Sequence, residues 1–139
     1  MSAEKNKAIV GRYMEEIWNR GDLAGAEELL SPAFVFHSPT GTVEGLEGFK
    51  KYVGGVRTVF PDLHFATEVL VAEEDQVVVQ WTMTGIQKGD FMGIAASGKH
   101  FTVPGVSRLG LAAGKLAEAQ VFWDRLSLLE QLGAAPKPG

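Results

Sequence analysis

Ala119-Gln120-Val121-Phe122-Trp123-Asp124-Arg125-Leu126-Ser127-Leu128-Leu129-Glu130-Gln131-Leu132-Gly133 changes period in its middle. Up to Trp123 the residues alternate as a strand does, with side chains two apart sharing a face. From Asp124 onward Leu126, Leu129 and Leu132 recur at helical spacing, and Gly133 closes the run as a helix C-terminus. A strand therefore passes directly into a helix at a single acid. Counting back by twos places Asp124, Phe122 and Gln120 on one face. If that face borders a cavity, the carboxylate is desolvated among apolar groups and can move protons. Asp is equally a favoured helix N-cap. Both readings stand, and they do not exclude each other.

Working back from this junction, four long apolar runs are separated by short turn signals. Leu63–Glu73, Gln76–Gln87, Lys99–Leu111 and Lys115–Asp124 are joined through Glu74-Asp75, Lys88-Gly89-Asp90, Ser97-Gly98 and Ala112-Ala113-Gly114. Short links between long strands predict an antiparallel meander. Pro104-Gly105 interrupts the third run, which predicts a bulge or bend there. Before Pro61 the pattern is helical. Ile9, Tyr13 and Ile17 recur at i+4 beside Val10, Met14 and Trp18, which predicts a helix over 4–20 with a wide apolar face. A short second helix carries Leu23, Ala26, Leu29 and Leu30 behind Asp22. A strand follows over Ala33–His37, stopped by Ser38-Pro39-Thr40-Gly41. A third helix runs from Leu46 to Val59, and its Gly54 and Gly55 are expected to let it approach a strand closely. Helices first and a strongly curved antiparallel sheet second make an α+β chain. Such a sheet, wrapped by helices, closes into a cone with an internal pocket. The domain is expected over 1–133, with 134–139 a frayed tail.

The composition narrows the function. With 45% hydrophobic and 22% charged residues, the chain is too apolar for disorder. A formal charge of -4 and no Lys/Arg cluster argue against nucleic acid as a partner. No apolar run is long enough to span a membrane, and Met1–Lys7 lacks a signal-peptide core, so a cytoplasmic protein is expected. There is no cysteine, which removes disulfides and thiolate chemistry. His37, His64 and His100 lack metal-ligand spacing, so no metal is expected. No nucleophile elbow and no phosphate loop is present. What remains is acid–base chemistry by a carboxylate among aromatics. Phe91-Met92-Gly93-Ile94 is unusually apolar for a connection, and reads either as a loop tucked onto the core or as a lip over a pocket.

Several stretches resemble the SnoaL-like polyketide cyclases: Gly89–Lys99, Ala113–Glu118, Trp123-Asp124 with Leu128–Gly133, and the first helix ending in Trp18-Asn19-Arg20-Gly21-Asp22. The resemblance implies a nuclear transport factor 2-like cone and cofactor-free, metal-free intramolecular aldol ring closure on polyketide esters. It places the catalytic aspartate at Asp124. Two departures stand out: Ser107 where those cyclases carry histidine, and Ala95-Ala96-Ser97 in place of Pro-Pro-Thr. On this basis Asp124 is expected to take a proton alpha to a carbonyl and return it to the new alkoxide. His37, Ser107 and Gln120 are expected as hydrogen-bond donors to the enolate oxygen. The substrate-binding set is Trp18, Phe34, Phe60, Trp81, Phe91, Met92, Phe101 and Phe122, and the partner a small apolar or aromatic carbonyl-containing molecule. The same scaffold hosts isomerases, dehydratases and epoxide hydrolases, and a non-catalytic small-molecule-binding protein is the alternative from another class. A homodimer through the outer sheet face is expected, as is common in the family.

Overall fold

A computed structural model describes residues 2–133; the expected tail lies outside the described residues. The chain begins with α1 (Ala3–Arg12), capped by the Ser2 side chain, which accepts from the Lys5 amide at 3.1 Å. The helix then changes character: Tyr13–Asn19 is π-helical. Its end is closed by a five-residue backbone bond, Arg20 N–H to the Glu15 carbonyl at 3.0 Å. Wider turns of this kind are uncommon and gather at functional sites. α2 is a single turn, Ala26–Leu29, shorter than expected because Asp22 binds the Ala24 amide in a local turn and does not cap a helix.

β1 (Leu30–Ser38) and β2 (Gly41–Glu44) form a hairpin, and α3 (Leu46–Val59) follows. β3 (His64–Glu73), β4 (Gln76–Ile86), β5 (His100–Ala112) and β6 (Lys115–Trp123) form the meander. α4 (Arg125–Gln131) ends the described chain. The six strands make one curved sheet in the order β2-β1-β6-β5-β4-β3. Every neighbouring pair is antiparallel except β1–β6, which is parallel. The mixed α+β architecture is the expected one, with this parallel pair as an addition.

The inner face of the sheet is set by alternation. On β4, Val77, Val79, Trp81 and Met83 are buried while Gln76 and Gln80 face out. Phe101, Val103, Ser107 and Leu109 continue the inner face on β5. Pro104-Gly105 makes no bulge: pairing with β4 runs unbroken from His100 to Gly110, and the register shift falls at Gly110/Leu111 against β6. Gly105 serves another purpose. It stands opposite Trp81, whose indole lies where a Cβ at 105 would be. Gly54 and Gly55 are corrected too, since a Cβ at either meets nothing within 4 Å, so they permit no close approach.

Candidate active-site cavity

Between the inner sheet face, the π-helical segment and α3 lies a cavity of about 300 Å³. Its wall is almost wholly aromatic and aliphatic. Tyr13, Met14 and Trp18 come from the π-helical segment, and Tyr52 and Val56 from α3. Phe65, Trp81, Met83, Phe101, Ser107, Val121 and Trp123 come from the sheet. Two aromatic contacts order one wall: Trp18 packs tilted on Phe65 at 5.4 Å, and Phe65 packs edge-to-face on Trp81 at 4.8 Å between ring centroids. At one end of this file the Trp18 indole N–H donates to the Tyr13 hydroxyl at 3.0 Å. At the other the Trp81 indole N–H donates to the Ser107 hydroxyl at 2.9 Å. The π-helical spacing explains the first bond, because it brings residues five apart onto one side of the helix. Burial pushes the Tyr13 phenol well above its usual range, by desolvation of the phenolate; the Trp18 bond opposes this and nearby Tyr52 adds to it.

The mouth is formed by the β4–β5 connection. Gln87 is fully buried and fastens it, donating to the carbonyls of Gly89 (3.0 Å) and Ile94 (3.1 Å) and accepting from the Ser97 amide and hydroxyl. Phe91 and Ile94 exchange two backbone bonds around Met92-Gly93, both at positive φ. This tight loop lays Asp90, Phe91 and Met92 on the cavity, with Phe91 edge-on to Phe60 at 5.1 Å. Of the two readings of the connection, the lip describes its first half. Ile94 is not in the cavity wall.

Of the eight residues expected to bind substrate, Trp18, Phe60, Trp81, Phe91, Met92 and Phe101 line the cavity. Phe34 does not. It is fully buried behind the wall, edge-on to Phe49 at 4.9 Å. Phe122 does not either: it points outward and is 58% exposed. Its register explains this. Ser107 pairs with Val121 and Val106 with Phe122, so the inward face of β6 is Ala119, Val121 and Trp123. Gln120 shares the outer face with Phe122 and accepts there from the Arg108 guanidinium at 3.3 Å. His37 pairs with Gln120 in the parallel ladder, lies on that same outer face and bonds Thr42 at 3.0 Å. Ser107 is the one expected hydrogen-bond donor that lines the cavity.

Asp124 does not sit among apolar side chains. Its carboxylate is exposed, and Oδ1 accepts from the Ser127 amide at 2.9 Å as the N-cap of α4. It is nonetheless flanked by the cavity: Trp123 before it and Leu128 one turn after it are both in the wall. α4 packs through Leu128 and Leu132, while Leu126 is 54% exposed. Gln131 anchors it by taking the place of a strand, accepting from the Thr102 amide at 2.8 Å and donating to the Thr102 carbonyl at 2.9 Å.

The acid that does line the cavity is Asp90, at the mouth, with Oδ1 held by the Ala96 amide at 3.3 Å. In sequence it belongs to the turn Lys88-Gly89-Asp90, and nothing in its local pattern marks it out. Tyr13 and Met14 read in sequence as part of the apolar face of a helix; their deviation from α spacing is not visible as hydrophobic periodicity. Among the described residues no group of three His, Asp or Glu side chains is placed to hold a metal ion, and no helix is long and apolar enough to cross a membrane.

A family model described as SnoaL-like polyketide cyclase matches residues 8–132. Among curated proteins, none matches this chain. A crystal structure of a candidate SnoaL-like polyketide cyclase from Jannaschia sp. CCS1 superposes with a TM-score of 0.88 at 31% identity, covering 96% of this chain and 95% of that one. AclR from Streptomyces galilaeus, a candidate hydroxylase, superposes with a TM-score of 0.83 at 32% identity, covering 97% and 100%. A Catenulispora acidiphila protein of ketosteroid isomerase-like fold, 18% identical with a TM-score of 0.78 over 92% of this chain and 93% of that one, shares the fold alone.

Proposed function

The chain belongs to the SnoaL-like polyketide cyclase family, and from that premise we propose that it closes a ring by intramolecular aldol addition within an apolar carbonyl compound. The observation that carries this reading is the cavity itself: about 300 Å³, walled by aromatic rings, with a few hydroxyls and one carboxylate at its mouth. Such a wall holds a flat carbon skeleton and excludes water, so that a carbanion formed inside is not quenched. A carboxylate takes the proton alpha to one carbonyl, leaving an enolate. The enolate carbon attacks a second carbonyl of the same molecule, forming the C–C bond, and the resulting alkoxide recovers the proton. A proton between two carbonyls is acidic enough for a carboxylate base, and such transfer contributes about 10²–10⁴-fold.

Asp124 is the base in this proposal. Among the described residues only its Oδ1 is engaged, in capping, so Oδ2 is free to accept a proton, and the chain neighbours Trp123 and Leu128 line the cavity. A second reading is favoured by one specific observation: Asp90 lines the cavity directly. Isosteric amides separate the two. With a β-ketoester that cyclises in the presence of the wild type, Asp124→Asn is expected to lower turnover by 10²-fold or more while keeping the helix cap and the melting temperature. Asp90→Asn is expected to change turnover less than tenfold. The reverse pattern assigns the proton transfer to Asp90, and loss by neither overturns the carboxylate mechanism. Retention of an unchanged ligand by both, with no product from a panel of β-ketoesters, enones and epoxides, makes the protein a binder.

A further inference from the structure

Tyr13 and Ser107 share an arrangement that fixes what their hydroxyls can do. An indole N–H only donates, so each of these oxygens accepts from a tryptophan: Tyr13 from Trp18 at 3.0 Å, Ser107 from Trp81 at 2.9 Å. Among the described residues neither hydroxyl has an acceptor for its own hydrogen. Both residues are buried, at 1% and 4% exposure, and both line the cavity. The two indoles are the first and last rings of one file, Trp18–Phe65–Trp81, so one unspent donor is attached to each terminal ring of that file. A buried donor without a partner is left desolvated at a cost in free energy. A ligand that supplies acceptors there recovers it.

We propose that Tyr13 and Ser107 form a two-point hydrogen-bond frame that selects flat ligands carrying a carbonyl oxygen at each end of the skeleton, the Trp18–Phe65–Trp81 wall holding the skeleton between them. This rests on the reading of the cavity as the site for a carbonyl compound and names which compounds enter it. Each indole bond turns a rotating hydroxyl into a directed donor, because only the remaining lone-pair and hydrogen positions face away from the tryptophan. A hydrocarbon of equal shape fills the wall equally well and leaves both donors unpaired, so the frame discriminates by chemistry and not by size. The phenol suits this role: its burial keeps it protonated, and therefore a donor, throughout the neutral range.

The test is a binding measurement and needs no turnover. 2-Methyl-1,4-naphthoquinone carries two opposed carbonyls, and 2-methylnaphthalene is its hydrocarbon counterpart; the chain has no cysteine for the quinone to alkylate. Ligand-observed NMR titration of both probes against wild type, Tyr13→Phe and Ser107→Ala gives the ratio of affinities. The expected result is a three- to tenfold fall in that ratio in each variant, with hydrocarbon affinity within twofold of wild type. Equal losses for both probes would mean that the variants reshape the wall, and overturn the frame; so would an unchanged ratio. The infrared carbonyl bands of the quinone provide a measurement on the wild type alone: binding is expected to shift them to lower frequency, and unshifted bands overturn the proposal even if a variant fails to fold. Selective quinone binding without any cyclase activity would leave the frame standing and remove the catalytic reading. Turnover without discrimination would do the opposite.

Discussion

At the scale of the residue, Tyr13 combines the least expected position with the clearest physical signature. Its phenol is fully buried and its ionisation is opposed by desolvation first of all. The folded state therefore keeps a proton that the unfolded chain releases near pH 10, the usual phenol value. Because the folded state binds more protons above that point, stability is fully present below pH 10 and falls as pH rises beyond it. Urea unfolding between pH 9 and 11 is expected to lose up to about 1.4 kcal/mol per pH unit more for wild type than for Tyr13→Phe. Parallel slopes would place the phenol in contact with solvent. Asp124 marks the opposite case, a residue whose role was only half legible. Its capping was readable from the leucines that follow. Its side of the sheet was not, because Val121 and Trp123 on one face and Phe122 on the other are all apolar, and a period of two cannot choose between them. Ser107 opposite Val121 decides it, and that pairing is long-range information.

At the scale of the element, the four meander strands were legible to within about a residue because Gly, Asp and Ser turns bracket each one. β2 was not, since four mostly exposed residues carry no pattern, and the parallel β1–β6 pair leaves no trace in local sequence. Glycine meaning was also unreadable, because it depends on what faces the missing Cβ. This gives a paired prediction. Gly105→Ala drives a methyl into the Trp81 indole and is expected to cost about 1–3 kcal/mol, while displacing the ring that holds Ser107. Gly54→Ala and Gly55→Ala add a methyl to open space on α3 and are expected to gain up to about 1 kcal/mol each. Denaturant unfolding followed by tryptophan fluorescence checks all three; equal effects at 105 and 54 would remove the steric account.

At the scale of the whole molecule, the expected face of association has a definite composition. Val69, Gln80, Val106 and Phe122 stand in one row across β3, β4, β5 and β6, and three of the four are exposed apolar side chains. Val71 lies on the neighbouring row, which ends in the Arg108–Gln120–Glu118 polar group. We propose that a second copy covers this face, apolar row against apolar row with the polar group at the rim. Sedimentation equilibrium at micromolar concentration is expected to give twice the 15.0 kDa chain mass for wild type and a single chain for Phe122→Glu. A wild-type monomer would refute it.

The π-helical stretch is a stored difference in chain length. Seven residues wound at five per hydrogen bond span what a regular helix covers with one fewer, so the segment holds a surplus residue between two flanks that are already in place. Removing one position between Tyr13 and Trp18 is expected to tighten the turns and bring these two residues to the ordinary four-residue spacing on a new slant. A single-codon gap there is thus expected to re-aim the Tyr13 and Trp18 side chains in the cavity with no substitution anywhere in its wall.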